Sequence, residues 1–223
     1  MSAIEAVISD FGGVLTTPLL RTFAALQEED GLDQGALGVA LRRIAERDRA
    51  HPLHELECGR MTEHDFLAEL SAQLREDLGR DDIELDSFAE RYFAHLRPNE
   101  PMIAFLRELR DDGYRLAILT NNVREWEPRW RAMLPVDELF EVVVDSGFVG
   151  MRKPDPAIYR LTCERLGVAA ERCLFVDDIA PNCAAATELG MTAVLFRSSE
   201  QAIADIREAL GGPQLSQPRR SQR

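Results

Sequence analysis

Several polar residues follow short apolar runs in this sequence, and their side chains are of the types that act on anions. Carboxylates can attack an electrophilic centre or bind a hard cation such as magnesium. Lysine supplies positive charge, and hydroxyl and amide groups donate hydrogen bonds to anionic oxygens. The residues concerned are Asp10, Thr120, Asn121, Lys153, Asp177 and Asp178.

Each of these residues also has a purely structural explanation when it is taken alone. An aspartate at a strand end often caps a turn or a helix, which applies to Asp10 and to the pair Asp177 and Asp178. The segment LTN can be a simple turn, and RKPDP can be the entry to a helix. Occurring together, Lys153 in a loop and the others at or just after the end of an apolar run, these residues favour one shared functional site.

The stretch AVISDFGGVL, residues 6–15, contains the first acid. Residues 7–9 are typical of a buried strand, which ends at Asp10. Gly12 and Gly13 then allow the backbone to turn sharply. The sequence therefore predicts a single carboxylate at the junction between a strand and a loop.

Four further apolar runs alternate with helical patterns after residue 97. Alternation of strand and helix predicts the α/β class, with a parallel sheet covered by helices on both faces. Ligands of such sheets bind beyond the carboxyl ends of the strands, where the polar residues described above are expected. The predicted strands are RLAILT (115–120), FEVVVDS (140–146), CLFVDD (173–178) and TAVLF (192–196).

A long segment with helical spacing and no convincing strand interrupts this alternation. The sequence thus predicts a core domain formed by residues 1–17 and 96–210, with an all-helical insert at residues 18–95. Residues 211–223 have no apolar period and predict a disordered tail.

Composition limits the classes of partner. The formal net charge of −13 argues against binding to a nucleic-acid backbone, and no apolar stretch approaches the length of a membrane span. No secretory signal precedes the first predicted strand. The four cysteines have neither metal-site nor disulfide spacing, which favours reduced thiols in a cytoplasmic protein. The sequence does not predict an oligomeric state.

The motifs, in their order, resemble the haloacid dehalogenase-like hydrolase superfamily over nearly the whole chain. The family's first motif, D-x-D-G-[TV]-[LV], corresponds to DFGGVL, and its second, a strand ending in threonine or serine, to LAILTNN. Its third, a lysine before a helix, corresponds to GMRKPDPAIY, and its fourth, an acidic pair, to LFVDDIAPN. The resemblance implies a Rossmann-like core and a helical insert that acts as a small mobile cap. The chain is particularly similar to the phosphatase domain of soluble epoxide hydrolase and to bacterial sugar phosphatases.

The resemblance implies a catalytic role for several residues. Asp10 would be the nucleophile that attacks phosphorus and forms an aspartyl phosphate. Thr120 and Asn121 would donate hydrogen bonds to the phosphate oxygens. Lys153 would hold Asp10 in place and offset the negative charge. The expected activity is that of a phosphatase acting on a small phosphorylated metabolite.

The resemblance also implies a magnesium site. Its ligands would be Asp10, the backbone carbonyl of Gly12 and an acid of the fourth motif. Asp178 is the favoured direct ligand, with Asp177 close to the ion. Magnesium prefers such hard oxygen ligands, and its charge would reduce the repulsion between a carboxylate and a phosphate dianion.

Gly12 departs from the family pattern, because family phosphatases usually have a second aspartate there that acts as general acid and base. Such help increases rates by about 10²–10⁴-fold, so the glycine predicts slower turnover. It also predicts a preference for leaving groups of low pKa, such as those of sugar 1-phosphates and acyl phosphates. His51, His54 and Glu57 of the insert are candidate replacements, although such histidines are more often surface or packing residues.

Two other functions stay open. A 2-haloacid dehalogenase also uses an aspartate nucleophile and lacks the second acid, but it needs no metal. The adjacent acids Asp177 and Asp178 fit poorly beside a halo-carboxylate without a cation to offset their charge. A non-catalytic phosphate-binding or interaction protein would keep the binding residues without turnover.

Overall fold

A five-stranded parallel sheet forms the centre of the protein. The structure, a computed structural model, describes residues 3–85 and 87–211. The strands are ordered β3-β2-β1-β4-β5 across the sheet, which confirms the predicted α/β, Rossmann-like class. In chain order they are β1 Ala6–Ser9, β2 Arg115–Thr120, β3 Val142–Asp145, β4 Cys173–Asp177 and β5 Thr192–Leu195.

Five helices follow the first strand. Four were expected from the helical spacing, whereas α3 is short and follows a proline, so it has too few residues to show a period. Thr62 caps α4, because its side chain accepts a hydrogen bond from the backbone N–H of Asp65. These helices are α1 Leu19–Glu29, α2 Ala36–Asp48, α3 Pro52–Glu57, α4 Glu63–Leu78 and α5 Phe88–His95.

The remaining helices connect and cover the strands. Two short helices lie between β2 and β3, and a third follows β3 directly; longer helices precede β2 and follow β3, β4 and β5. They are α6 Glu100–Asp111, α7 Glu127–Arg131, α8 Val136–Leu139, α9 Ser146–Val149, α10 Pro156–Leu166, α11 Ala180–Glu188 and α12 Ser199–Ala209.

Two apolar layers cover the sheet. Alternate strand residues point to opposite faces, so Val7 and Leu116 pack into one layer and Ile8 and Ala117 into the other. Because both faces are buried, the strands contain almost no polar residues before their carboxyl ends. Polar groups at those ends therefore lie in a separate environment from the core.

The two connections between the helical insert (residues 18–95) and the sheet run side by side. Thr16 and Pro98 form an isolated antiparallel bridge. The side-chain amide of Asn99 donates a 2.7 Å hydrogen bond to the carbonyl of Val14. Both chain crossings are thus held together close to the end of β1.

No helix in the described part of the chain has the length and the apolar character needed to cross a bilayer. The predicted disordered tail lies outside the described residues, apart from Gly211.

Candidate active site

The candidate site lies at the carboxyl edge of the sheet. Parallel pairing aligns Ser9 of β1 with Val176 of β4, and Asp10 donates its backbone N–H to the carbonyl of Val176 at 2.9 Å. Asp10 and Asp177 consequently emerge next to each other, from two adjacent strands. Thr120 ends β2 on the other side of β1.

Lys153 joins the two neighbouring carboxylates. Its Nζ lies 2.7 Å from Oδ1 of Asp10 and 2.6 Å from Oδ2 of Asp177, and only 1% of its side chain is exposed. Burial lowers the pKa of the Lys153 ammonium, but the charges of both aspartates outweigh this effect and raise the pKa overall. The lysine is therefore a permanent positive charge within the site.

Asp177 has hydrogen-bond partners on both carboxylate oxygens. Besides Lys153, its oxygens accept hydrogen bonds from the Asn182 amide at 3.0 and 3.1 Å and from the backbone N–H of Ile179 at 2.8 Å. Three donors thus fix this carboxylate in one orientation. Asn182 thus orients Asp177.

Asp178 differs from its neighbour because no hydrogen bond joins its carboxylate to another described residue. Burial, and next the charge of Asp177, raise the pKa of Asp178. One of its oxygens lies beside the backbone of Gly13, where a Cβ atom would approach it to 2.3 Å. Its oxygens therefore remain available to a ligand.

Asp10 also has an available oxygen. Lys153 contacts only Oδ1, and Oδ2 has no donor among the described residues. Burial raises the pKa of Asp10 from 3.8 to about 7, against the lowering effect of Lys153. Without a further cation, this carboxylate is consequently poorly stabilised as an anion.

The arrangement fits a divalent cation. Oxygens of Asp10, Asp177 and Asp178 all lie within 4.8 Å of one another, and Lys153 is the cation in direct contact with them among the described residues. Three carboxylates beside one ammonium leave uncompensated negative charge. Hard carboxylate oxygens are the ligands that magnesium prefers. Asp10 and Asp178 have the free oxygens that could bind it.

The side chains predicted to hold phosphate lie around this cluster. Thr120 is buried, with 1% of its surface exposed. The Asn121 amide donates to the carbonyl of Lys153 at 3.0 Å and accepts from the Lys153 backbone N–H at 2.8 Å. Asn121 thus positions the lysine loop, and one of its two amide hydrogens has no acceptor among the described residues.

His51 and His54, two of the candidate replacements for the missing acid, line a cavity whose walls do not include the carboxylate cluster. His51 and His54 stack with their ring centroids 4.4 Å apart, and they line a separate cavity of about 330 Å³ together with Arg152 and Pro154. Burial, followed by the charge of Arg152, lowers the pKa of His54 to about 4. Both imidazoles therefore line this cavity.

Glu57 makes a contact that the sequence did not reveal. It ends α3, and one of its carboxylate oxygens lies 2.6 Å from Nε of Arg152, the residue before Lys153. The partners are separated by 95 residues. Such a contact depends on how the helical insert packs on the core, so spacing alone could not predict it.

Comparison with known proteins identifies the family. A family model described as a haloacid dehalogenase-like hydrolase matches residues 4–190. The chain belongs to this family. The resemblance inferred from the motifs is therefore confirmed. In this haloacid dehalogenase-like hydrolase the four motifs meet at the carboxyl edge of the sheet.

Two curated relatives match this haloacid dehalogenase-like hydrolase over most of its length. Bifunctional epoxide hydrolase 2 of Sus scrofa is 25% identical over an alignment of 224 residues, which covers 97% of this chain and 40% of that protein. The chain thus spans less than half of that relative. Sesquiterpene phosphatase astK of Aspergillus oryzae is 26% identical over 219 residues, which cover 94% of this chain and 98% of that protein.

Solved structures share the fold. The family enzyme BT-2542 of Bacteroides thetaiotaomicron, in complex with magnesium and inorganic phosphate, has a TM-score of 0.60 and 22% identity, covering 87% of this chain and 94% of that one. The structure of a dehalogenase has a TM-score of 0.66 and 19% identity, covering 96% of this chain and 100% of that one. At these identities the likeness concerns the fold alone.

Proposed function

We propose that this hydrolase is a magnesium-dependent phosphatase that acts on a small phosphorylated metabolite through an aspartyl phosphate on Asp10. The observation behind this proposal is the pair of free carboxylate oxygens on Asp10 and Asp178 beside the buried Lys153. The carboxylates carry more negative charge than Lys153 can neutralise. This charge suits a site that binds a metal ion, which in turn binds a phosphate dianion. The names of relatives that are phosphatases support the same choice.

Magnesium held by Asp10, Asp178 and the carbonyl of Gly12 would supply the positive charge that lets a carboxylate approach a phosphate. The first step then belongs to Asp10. Its free oxygen attacks phosphorus, an oxygen–phosphorus bond forms, and the bond to the leaving oxygen breaks with its electron pair on that oxygen. Lys153 favours the ionised form of the attacking carboxylate and orients it through its 2.7 Å contact.

The other polar residues position the phosphate. The Thr120 hydroxyl and the free amide hydrogen of Asn121 donate to its non-bridging oxygens. Lys153 neutralises part of the charge that these oxygens bring to the site. The Asn121 side chain is hydrogen-bonded to the backbone of Lys153, so the two residues are held in place together.

The second step releases the phosphate. Water attacks the phosphorus of the aspartyl phosphate and forms a new oxygen–phosphorus bond, the bond to Asp10 breaks with its electron pair on the regenerated carboxylate, and the proton of the water passes to solvent. Gly12 offers no side chain to take the proton from this water or to give one to the leaving group. We therefore propose turnover slower than that of relatives with an acid at this position.

We further propose that the helical insert, residues 18–95, acts as a cap over the core formed by residues 1–17 and 96–210. The paired chain crossings near Thr16 and Pro98 support this role, because they form one compact hinge region. Glu57 and Arg152 would hold the insert against the lysine loop.

A 2-haloacid dehalogenase is the second candidate. Two observations favour it: the absence of an acid at Gly12 and the shared fold with a dehalogenase. In that reaction Asp10 would attack carbon and displace halide without a metal ion. The unpaired carboxylate of Asp178 argues against it, because it would repel a halo-carboxylate.

Hydrolysis of an aryl phosphate with and without magnesium tests the proposal. We expect metal-dependent phosphate release that Asp10→Asn abolishes. Asp145→Asn is the matched control, because Asp145 is a buried acid at the end of β3, two strands away from β1 and outside the carboxylate cluster. Halide release in the presence of a chelator would instead identify a dehalogenase. Phosphate binding without any turnover would identify a non-catalytic protein.

A further inference from the structure

Two of the four cysteines lie in contact with each other. Cys163 belongs to helix α10, and Cys173 is the first residue of strand β4. Their Sγ atoms are 4.0 Å apart, and both thiols are free. Within the described residues, Cys58 and Cys183 have no hydrogen bond to a second sulfur. The contact therefore distinguishes one pair of thiols from the other cysteines.

This pair lies at the end of the sheet opposite the candidate active site. Parallel register aligns Cys173 with Ala6, the first residue of β1, whereas Asp10 follows the last residue of that strand. Each strand residue adds about 3.3 Å, so the length of β1 separates Cys173 from Asp10. A chemical change at the two thiols thus does not involve the polar groups at the carboxyl edge.

The two sulfur atoms need only a small movement to become bonded. A disulfide bond is about 2.05 Å long, so the Sγ atoms must approach each other by about 2 Å. The connection between the two cysteines is short and largely exposed: Gly167 ends α10, and the turn Ala170–Arg172 leads directly into β4. An exposed turn deforms more easily than a packed strand, so this connection can supply the movement.

The two thiols differ in their access to solvent. Cys173 is fully buried in the apolar layer that contains Ile8 and Ala117, whereas Cys163 packs against this layer and is partly exposed. The hydrogen bond between the sulfurs lowers the pKa of Cys163, and the same bond together with burial raises the pKa of Cys173. The thiolate is the reactive form of cysteine. A reagent from solvent therefore reaches Cys163 first and finds Cys173 behind it.

We propose that Cys163 and Cys173 form a site of reversible oxidation, at which a peroxide converts the two thiols to a disulfide. The inference is independent of the proposed phosphatase function. In the first step the Cys163 thiolate attacks one oxygen of hydrogen peroxide. A sulfur–oxygen bond forms, the oxygen–oxygen bond breaks with its electron pair on the departing hydroxide, and Cys163 becomes a sulfenic acid.

In the second step the sulfur of Cys173 attacks the sulfur of Cys163. The sulfur–sulfur bond forms, the sulfur–oxygen bond breaks with its electron pair on the departing hydroxide, and the proton of Cys173 completes a molecule of water. Overall, the pair of thiols loses two electrons and one peroxide is reduced to two molecules of water. Because the second thiol is already in contact with the first, this condensation should outpace further oxidation of Cys163 to a sulfinic acid.

Thiol counting on the 223-residue chain tests the proposal. Reduced protein is treated with a small molar excess of hydrogen peroxide, the peroxide is removed, and the protein is unfolded and labelled with N-ethylmaleimide. We expect the labelled thiols to fall from four to two, and dithiothreitol to restore all four. The intact mass before labelling should fall by about 2 Da, the loss of the two thiol hydrogens.

Tryptic digestion without reductant locates the bond. Trypsin cleaves after arginine, so we expect residues 161–165 to be linked to residues 173–197. The second peptide also contains Cys183. Cys183→Ser is therefore the matched control, and it should form the same linked pair. Cys163→Ser should keep its three remaining thiols labelled after peroxide treatment, and thermal unfolding verifies that both variants are folded.

Several results would overturn the proposal. One is full labelling of the peroxide-treated wild-type protein, and another is a sulfinic acid on Cys163 with Cys173 still labelled. A disulfide that forms equally in Cys163→Ser, or that joins two chains on a non-reducing gel, would place the oxidation elsewhere. None of these results bears on metal-dependent phosphate release, so the phosphatase proposal is tested separately.

Discussion

Gly13 and Asp178 lie so close together that a side chain at Gly13 would occupy the position of the carboxylate. A Cβ atom there would lie 2.3 Å from Oδ2 of Asp178, and Gly13 has a φ of +81°. Both the backbone conformation and the contact require glycine. The turn after β1 thus brings backbone directly beside an acid that begins the loop after β4.

We expect Gly13→Ala to displace Asp178 and to abolish stabilisation by magnesium. Gly113→Ala is the matched control, because Gly113 has a φ of +97° but no atom within 4 Å of the added Cβ. Both variants should lose about 1–2 kcal/mol of unfolding free energy from backbone strain. Only Gly13→Ala should also lose the shift in Tm that magnesium produces. A normal magnesium response in Gly13→Ala would contradict the close contact.

Asp177 and Asp178 should respond differently to neutralisation. Asp178→Asn should abolish magnesium stabilisation, which is worth about 2.7 kcal/mol at a hundred times Kd, with little effect on the metal-free protein. Asp177→Asn should destabilise the metal-free protein, because it disturbs contacts with Lys153, Asn182 and Ile179. Thermal unfolding with and without magnesium measures both effects. Equal behaviour of the two variants would show that the acids share one role.

Lys153→Met should destabilise the metal-free protein strongly. It leaves the buried carboxylates of Asp10 and Asp177 without their shared cation, a change that costs about 3–5 kcal/mol. Urea unfolding measures this loss. Addition of Asp10→Asn to Lys153→Met should recover part of it, because one buried charge is removed. No recovery in the double variant would mean that the repulsion is relieved elsewhere.

Gly12→Asp should raise the rate of alkyl phosphate hydrolysis by about 10²–10⁴-fold, because it supplies a general acid and base. Gly12 is not among the described residues with a positive φ, so an aspartate there needs no left-handed backbone. The gain should be smaller for aryl phosphates. Steady-state kinetics on both substrates test this, and an equal gain on both would argue against proton donation to the leaving group.

Asp145 should make stability depend on pH. Burial raises the pKa of Asp145 from 3.8 to about 6, so the folded state holds its proton more tightly than the unfolded state. The free energy of unfolding should therefore fall as pH rises from about 4 to 6, by on the order of 3 kcal/mol. Asp145→Asn keeps an acceptor for the N–H of Gly147 and should flatten this slope. Urea unfolding across this range measures it; an unchanged slope would mean that another group titrates.

The sequence predicted the sheet and the residues at its edge because both depend on local patterns. Short apolar runs mark buried strands, and the residue that ends each run is placed by the strand itself. Asp10, Thr120 and Asp177 could therefore be named from their positions alone. The helical character of the insert followed from its spacing, except at α3, which is too short to show a period.

The sequence alone determined which residues gather at one edge of the sheet and that Gly12 leaves the nucleophile without a neighbouring acid. Only the tertiary structure decided which carboxylate is fully hydrogen-bonded, which one has no partner among the described residues, and that Glu57 of the insert contacts Arg152 beside Lys153. The physical reason is the sequence separation of the interacting residues. Strand ends are set by neighbours along the chain, whereas hydrogen bonding and burial at the site depend on side chains from elements far apart in sequence.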